Sequence, residues 1–515
     1  MGLIRWMHYA ETAGPYARFI RACGRVEQSQ RQLWRETQPL IANGVFWQKR
    51  MGSKLRHLEN FDLSQYSDYE DTIRHAHSTT DLSPLTGEKV PFWMESSAST
   101  GRPKLYPAPQ TFFMKQCMGP PQIVSYALLR RFPRHLEKAA LNLVATSLRK
   151  TSPVGVPTGL GTYNGNCNLP AVIRWTSALP LPLYDDAPAF QQWAPLYAMA
   201  ADLSSIRALS PSRVHRFLMT IVSRKDELLP YLDGRLTLPR DLPPLRVSKE
   251  RVKVVRAALE RPDVRFKELW PTLEFIRVWK CATCGIQTAL LAPHLTADVQ
   301  VIDHIYGSSE GALNCPILFG RNGGPALVNT LITEYVKVGD DVRAENLIPV
   351  WKLEAGCSYR LFVTNKMGLV RYRLGDIIRC TGHFRDAPII EFSEREAQEL
   401  AIGGAIITEG QLVEAAKRIG LDRRSHWVFA PNQVCNGLVF YFDAARLDGA
   451  GAARQAEEVL RELNPLYSIV SKAGTAAPIK AAVLPPDHAF WTSSVHAQTK
   501  ERVLLKQPMS EIIAA

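Results

Sequence analysis

The chain has 515 residues, 46% hydrophobic and 22% charged, a balance that excludes a disordered or fibrous protein and suggests about three domains by length. Its formal net charge of +13 favours anionic partners, but no run of five or six basic residues occurs, so neither a nucleic-acid stripe nor a basic tail is expected. No stretch of about 18 apolar residues exists, so no membrane span is expected, and the cytoplasm is the expected compartment.

In chain order, residues 1–57 read as helices, because Ile4, Tyr9, Tyr16, Phe19, Ile20 and Cys23 recur at helical spacing. A turn and short helix are expected in 62–76, and a short strand in 89–94, "KVPFWM". Segments 141–148 and 171–184 read as strands, 191–203 and 211–232 as amphipathic helices, and the glycine- and asparagine-rich 156–170 as a loop. In the second helix Pro211 suits the first helical position after Ser210. Two further strands, 275–283 and 299–307, flank a helical segment near 287–295. A hairpin follows: 359–364, the turn "NKMG" with Asn365 and Gly368, then 369–376, with a third strand in 387–393. Strands interleaved with helices predict an α/β core. Beyond Arg395 a helix, a strand and a helix predict a small α+β domain, and the Ala/Gly-rich 443–456 suits a flexible connection.

Nine irregularly spaced cysteines suit reduced thiols. The single C-x-x-C, Cys281 and Cys284, has no second pair to complete a zinc site, so core cysteines at a strand end are expected.

Three stretches could carry chemistry. "SSASTGRPK" supplies hydroxyls, a glycine and a cation (Ser96, Ser97, Ser99, Thr100, Gly101 and Lys104), the parts of a phosphate-binding loop or of a polar surface turn. It is not a Walker A loop. "YGSSEG", Tyr306–Gly311, fits G-x-S-x-G with Ser309 as a hydrolase nucleophile. It also offers Glu310 to a magnesium ion that bridges phosphates. "RYRLGD" ends in Asp376, whose two oxygens could accept from two ribose hydroxyls or face solvent in a turn.

In order and spacing the three resemble the adenylate-forming superfamily, whose patterns are S-[ST]-G-[ST]-T-G-x-P-K, Y-G-x-[ST]-E and Y-R-x-G-D. Within it, "LEAGCSYRLFVTNKMGLVRYRLGDIIRCTGHFRDAPIIEFSER" (353–395) looks like the plant auxin- and jasmonate-conjugating acyl acid amido synthetases and their bacterial relatives. The resemblance implies a large N-terminal adenylate-forming domain of sheets flanked by helices, 1–392, a hinge at 393–397 and a small mobile C-terminal α+β domain, 398–515. It implies that Ser97, Ser99, Thr100 and Lys104 hold ATP phosphates, with Ser96 and Gly101 in the same loop. Ser309 and Glu310 would meet the adenylate and its Mg2+, with Tyr306 in that motif. Tyr372 and Asp376 would lie against the nucleotide, and Arg395 would contact it near the hinge. Lys506, in "LLKQP", would be the catalytic lysine, with Lys500 its competitor.

This chain departs from the family pattern in three places. Ala98 replaces a glycine, Gly404 and Ala405 replace a Glu-Lys pair, and Leu504 and Leu505 replace Gln-Tyr. The implied reaction activates a carboxylic acid as acyl-AMP with release of pyrophosphate, then passes the acyl group to an amine, for which the resemblance implies an amino acid. The expected partners are therefore small molecules, with no nucleic acid and no membrane. Phe112, Phe113, Tyr163 and Trp175 are available to an acyl pocket for an aromatic or medium-sized apolar acid. An acyl-CoA ligase, a degenerate nucleotide-binding protein and a Ser309 hydrolase are the alternatives.

Overall fold

The structure is a computed structural model that describes residues 2–96, 104–143, 150–160, 177–180, 183, 187–240, 242–396, 399–420, 427–442, 449–485, 503–505 and 507–509. The chain opens with helices α1 (Gly2–Ala22), α2 (Val26–Ala42) and α3 (Val45–Met51). In α2 the buried residues Val26, Gln30, Leu33, Thr37 and Ile41 follow one helical face. Gln30 is the polar member of that stripe. Its amide donates to the carbonyls of Val328 and Leu331 and accepts from Thr333 N–H, which fastens the helix to the centre of the molecule. The expected turn and short helix appear as a 3-10 turn, Tyr66–Asp68, and α4 (Glu70–Thr79).

Three sheets follow. In the first, β1 (Phe92–Glu95) pairs antiparallel with β2 (Leu105–Ala108) and parallel with β5 (Pro157–Leu160). A short β4 (Lys150–Thr151) closes its edge. Part of the expected 156–170 loop is thus a strand, and residues 161–170 lie outside the described residues. The second sheet is wholly parallel, in the order β3 (Ala139–Leu143), β6 (Leu203–Ala208), β7 (Phe275–Val278), β8 (Gln300–Asp303). The third is antiparallel: β11 (Gly324–Pro325), β16 (Ala387–Arg395), β15 (Tyr372–Phe384), β14 (Ser358–Thr364), β12 (Ile332–Lys337), β13 (Ile348–Pro349). It contains the expected hairpin.

One face of the parallel sheet carries Leu141, Leu143, Ile206, Ala208, Ile276 and Val278 into a core shared with helices α6 (Ala187–Ala200), α7 (Pro211–Ser223), α8 (Lys225–Leu232) and α9 (Lys249–Leu259). The other face, with Phe275 and Ile302, joins a core with the N-terminal helices, α5 (Gly119–Arg131) and the antiparallel sheet. Phe112 and Phe113 are buried, and Phe113 opens a π-helical turn that leads into α5. Tyr163 and Trp175 lie outside the described residues.

Three expectations are corrected. Strand β6 is absent from the sequence reading because Ser204, Ser205 and Arg207 break its apolar run, although β6 lies between β3 and β7. Segment 211–232 is two helices, interrupted at Arg224 with φ −104° and ψ 14°. Its start is as expected: Ser210 Oγ accepts from Arg213 N–H, and Pro211 takes the first turn. Helix α9, capped by Ser248, was not expected. The strand read in 171–184 lies mostly outside the described residues.

The C-terminal segment holds a hairpin, β17 (Glu399–Ile402) with β18 (Ala405–Thr408), then α10 (Glu409–Arg418) and a sheet of β19 (Trp427–Pro431), β20 (Gly437–Phe442) and β21 (Ala477–Val483). Helices α11 (Gly449–Leu463) and α12 (Pro465–Lys472) pack with them in a separate core. The Ala/Gly-rich connection is therefore helical from Gly449 onward. Its small residues let the helix approach the sheet: a Cβ on Gly449 would collide with the Phe442 ring. Among the described residues no helix is long and apolar enough to cross a membrane.

Candidate active site

The β1–β2 pair ends at Glu95 opposite Leu105, and the next residues pinch the chain. Ser96 N–H donates to Lys104 O at 2.9 Å, and Lys104 N–H donates to Ser96 Oγ at 3.0 Å. These bonds form the neck of the 97–103 loop. Ser97, Ser99, Thr100 and Gly101, and the departing Ala98, lie outside the described residues. Strand alternation puts Lys104 and Tyr106 on one side. Lys104 Nζ lies 5.3 Å from the centre of the Tyr66 ring and 5.9 Å from that of Tyr372, and donates to Tyr372 Oη at 3.3 Å.

After β8 the chain folds into a small antiparallel ribbon, β9 (Gly307–Ser308) with β10 (Gly311–Ala312), and Ser309 and Glu310 form its turn. Ser308 Oγ accepts from Glu310 N–H at 3.2 Å. A nucleophile elbow would run from its serine into a helix. Here a second strand follows, so Ser309 is not displayed on an elbow. Glu310 is only 7% exposed. Its Oε1 accepts from Tyr106 Oη at 2.7 Å, and Tyr106 Oη lies 3.2 Å from Tyr372 Oη. Lys104, Tyr372, Tyr106 and Glu310 thus form one polar chain. Burial, and then the Glu310 charge, push the Tyr106 and Tyr372 phenols far up, so both are neutral donors at ordinary pH. The Glu310 backbone is held by Asn365, whose Nδ2 donates to its carbonyl at 2.8 Å. Asn365 Oδ1 meanwhile accepts from Met367 and Leu369 N–H in the hairpin turn.

Asp376 is 2% exposed and lies directly opposite Arg395 in the β15–β16 register. Tyr306 Oη donates to its Oδ2 at 2.6 Å, and Arg395 Nε lies 3.1 Å from its Oδ1. Burial, then Asp376, raise the Tyr306 phenol well above its ordinary value. Burial works against the Arg395 cation, but Asp376, Tyr306 and Glu310 outweigh it and raise its pKa. The strand enters this region through a constrained residue. Arg371 has φ +45°, costly for a side-chain-bearing residue. It is held there by Glu334 at 2.8 Å and by the Phe61 carbonyl at 3.0 Å.

The structure thus brings together Lys104, Tyr306, Glu310, Tyr372, Asp376 and Arg395, with Ser96 at the loop neck and Ser309 at the turn. Lys506 and Lys500 lie outside the described residues. Their neighbours Leu504 and Leu505, two of the departures, are buried core residues. Leu504 bridges to Phe429, and Leu505 N–H donates to Phe429 O at 2.8 Å, so 503–505 extend the β19 edge. The Gly404–Ala405 departure also has a local role. Gly403 and Gly404, with φ +59° and +95°, make the two-residue turn that joins β17 to β18. Tyr106 and Tyr66 are not singled out in the sequence, and Asn365 is read there only as a turn residue. Only Tyr106 carried a signal, its two-residue spacing from Lys104.

A magnesium ion that bridges phosphates takes one or two protein carboxylates, with phosphate and water oxygens for the rest. Glu310 fits that role, because among the described residues its carboxylate meets neutral hydroxyls and no ion-pair partner. Asp376 fits a ribose in chemistry: Tyr306 occupies Oδ2, while Oδ1 is ion-paired with Arg395 but accepts no hydrogen bond among the described residues.

Residues 16–299 match the model of the GH3 family N-terminal domain, and residues 325–395 that of the GH3 family central domain. The chain belongs to the GH3 family. Among curated proteins, this GH3 chain is similar to the probable indole-3-acetic acid-amido synthetase GH3.9 of Oryza sativa subsp. japonica, 27% identical over 34% of this chain and 41% of that one. It is also similar to the jasmonoyl–L-amino acid synthetase JAR4 of Nicotiana attenuata, 30% identical over 30% and 29%. A third relative is the 4-substituted benzoates–glutamate ligase GH3.12 of Arabidopsis thaliana, 26% identical over 36% and 34%. The match thus spans less than half the length of each. Among solved structures, the acyl acid amido synthetase AtGH3.15 in complex with 2,4-DB superposes with a TM-score of 0.83 at 16% identity, over 98% of this chain and 96% of that one. The postadenylation state of 2-hydroxyisobutyryl-CoA ligase reaches 0.50 at 11% identity, over 95% and 90%. These likenesses establish the GH3 and adenylate-forming fold.

Proposed function

We propose that this GH3 protein is an ATP-dependent ligase that activates a carboxylic acid as acyl-AMP and transfers the acyl group to the amine of an amino acid to form an amide. The observation that carries the reading is the convergence of Glu310 with Tyr372 and Asp376, from two separate stretches, around the neck of a third, the Ser96–Lys104 loop. The names of its relatives favour the same chemistry.

In the first half-reaction the acid's carboxylate oxygen attacks the α-phosphorus of ATP, and pyrophosphate leaves with the bridging electron pair. Positioning and charge stabilisation are the main tasks of the protein. Ser96, Ser97, Ser99, Thr100, Gly101 and Lys104 grip the phosphates. Tyr306 and Arg395 orient Asp376 toward the ribose, and Tyr106 and Tyr372 fix Glu310 and remain protonated donors beside it. Ser309 lies at the adenylate, and Lys506 supplies a cation between acid and α-phosphate. Mg2+ held by Glu310 would neutralise charge on the phosphate oxygens. In the second half-reaction the amine nitrogen attacks the acyl carbon, AMP leaves with the C–O pair and the amine loses a proton. Residues 393–397 act as the hinge between the domain of 1–392 and that of 398–515, whose rotation separates the two steps. ATP and free thiols suit a cytoplasmic enzyme.

Acid-dependent ATP–pyrophosphate exchange across a panel of carboxylic acids tests the reading. Exchange with one class of acid, followed by amide formation with an amino acid, is the expected result. Folded protein that binds ATP yet exchanges with no acid is a degenerate nucleotide binder. Thioester formation with coenzyme A, and none with amines, makes it an acyl-CoA ligase.

A further inference from the structure

A hairpin turn normally sits at the surface and keeps its polar groups in water. The turn between β14 and β15 is buried instead: Asn365, Lys366, Met367 and Leu369 are each at most 3% exposed. A lysine is almost never buried without a partner. Lys366 has one on α2, where its Nζ donates to Glu36 Oε2 at 2.9 Å. Lys115 Nζ, from the π-helical turn, donates to the same oxygen at 2.9 Å. Burial works against the Glu36 charge, but the two lysines outweigh it and hold its carboxyl down at about 2. Burial lowers the Lys366 pKa, and Glu36 opposes that.

Three elements meet at this cluster. Helix α2 brings Glu36. The π-helical turn brings Lys115 and Gln116, and such turns inside helices are frequent at functional sites. Gln116 Oε1 accepts from Lys366 N–H at 3.3 Å, and Gln116 Nε2 donates to the Thr330 carbonyl. The chain reaches this π-turn from β2, the strand that runs out of the 97–103 loop. The third element is the hairpin turn itself, whose Asn365 Nδ2 donates to the Glu310 carbonyl at 2.8 Å. Trp47 Nε1 fastens the same turn by donating to Gly368 O at 2.9 Å.

Packing alone does not explain a lysine at this turn. An apolar side chain fills a buried site at lower cost, because an ammonium must first lose its water. The best-attested use of a buried ion pair is to fix register. Here the register is that of the turn on α2. Asn365 and Lys366 are adjacent, so a turn that slips on Glu36 carries the Glu310 backbone with it. The Glu310 side chain has a separate anchor in Tyr106, on β2. Glu36 therefore ties two parts of the candidate site to one frame. Lys366 and Asn365 connect it to Glu310, and Lys115 connects it to the π-turn that follows β2.

We infer that Lys366, paired with Glu36, is a positioning residue that holds Glu310 where a divalent cation bridges the phosphates of a bound nucleotide. The inference rests on the ligase reading, which gives Glu310 its cation. Lys366 acts on that cation only through Asn365 and the Glu310 backbone, so its loss weakens cation binding and leaves the acid's own contacts in place.

Lys366→Met keeps the length of the side chain and removes its charge. Binding of Mn2+ in the presence of ATP, read from the paramagnetic resonance signal of the free ion, should weaken about tenfold, in the range for losing an outer partner of a metal ligand. ATP–pyrophosphate exchange should need correspondingly more Mg2+, with KM for the acid unchanged. Lys366→Arg keeps the charge and should restore most of the binding. Glu36→Gln should give a smaller shift of the same kind. The double variant should bind Mn2+ no worse than Lys366→Met alone, because both changes act on one pair. Glu36 lies at the more exposed end of that pair, so Glu36→Gln decides the matter if Lys366→Met does not fold. An unchanged Mn2+ curve in a folded variant, no rescue by arginine, full multiplication of the two shifts in the double variant, or a rise in KM for the acid equal to the Mn2+ shift overturns the inference. Wild-type protein that binds ATP without Mn2+ overturns it while the exchange assay still decides the ligase reading. Exchange with no acid removes the ligase reading, and the Mn2+ titration still decides whether Lys366 positions Glu310.

Discussion

Asp376 and Arg395 are directly opposed across the β15–β16 pair, with Arg395 Nε 3.1 Å from Asp376 Oδ1 and Tyr306 Oη on the other carboxylate oxygen. Oδ2 is thus taken by Tyr306, which a ribose hydroxyl must share, while Oδ1 faces the Arg395 charge and accepts no hydrogen bond among the described residues. Asp376→Asn keeps the volume and removes the charge. It should raise KM for ATP about tenfold or more, the range for hydrogen bonds to a charged group. Steady-state kinetics at varied ATP read this directly. A fall in kcat with KM for ATP unchanged would contradict the ribose role.

Tyr106 is the neutral bridge between Glu310 and Tyr372. Tyr106→Phe keeps the ring, including its edge contact with Tyr66 at 5.5 Å between centres, and deletes the donor. Exchange should fall about tenfold, with the magnesium titration shifted to higher concentration, as expected for the loss of one charge-assisted bond. An unchanged magnesium curve would detach Tyr106 from the metal carboxylate.

Lys506→Ala should suppress exchange far more than Lys500→Ala. Both should fold, because the neighbouring residues Leu504 and Leu505 are what bury this segment. If the effects are reversed, the catalytic lysine is Lys500.

His135 gives the fold a pH dependence. It is buried, Nδ1 donates to the Phe132 carbonyl at 2.7 Å, and burial lowers its pKa from 6.5 to about 4. The unfolded chain binds the proton more readily, so stability is complete above about pH 6.5 and declines as pH falls toward 4. Over that window the loss from this group is about 3 kcal/mol. His135→Asn should flatten that part of the stability–pH curve, measured by urea unfolding. A wild-type curve with the same slope as the variant would remove His135 from the account.

Gly403 and Gly404 share a turn but not an environment. A Cβ on Gly403 would meet Ala476 N at 2.9 Å, whereas one on Gly404 has open space. Both positions have positive φ, so alanine strains either by about 1 kcal/mol or more. Gly403→Ala should cost clearly more than Gly404→Ala in thermal unfolding. Equal costs would mean that Ala476 yields freely.

The sequence by itself determined the local chemistry. Hydroxyl, carboxylate and glycine types at fixed spacing, read with the family resemblance, marked Ser96–Lys104, Glu310 and Asp376 as candidates, because each motif is a short stretch of backbone. Long periodic segments, such as α2 and the β14–β15 hairpin, were legible for the same reason. Strand β6 and the break at Arg224 were not. A polar strand between two others is stabilised by its neighbours, and a helix break by packing, and neither leaves a periodic trace. Only the tertiary structure joined Tyr106 to Glu310, set Arg395 against Asp376 and paired Lys366 with Glu36. Those pairings join residues up to 330 positions apart, and side-chain contacts between elements have no sequence spacing to reveal them.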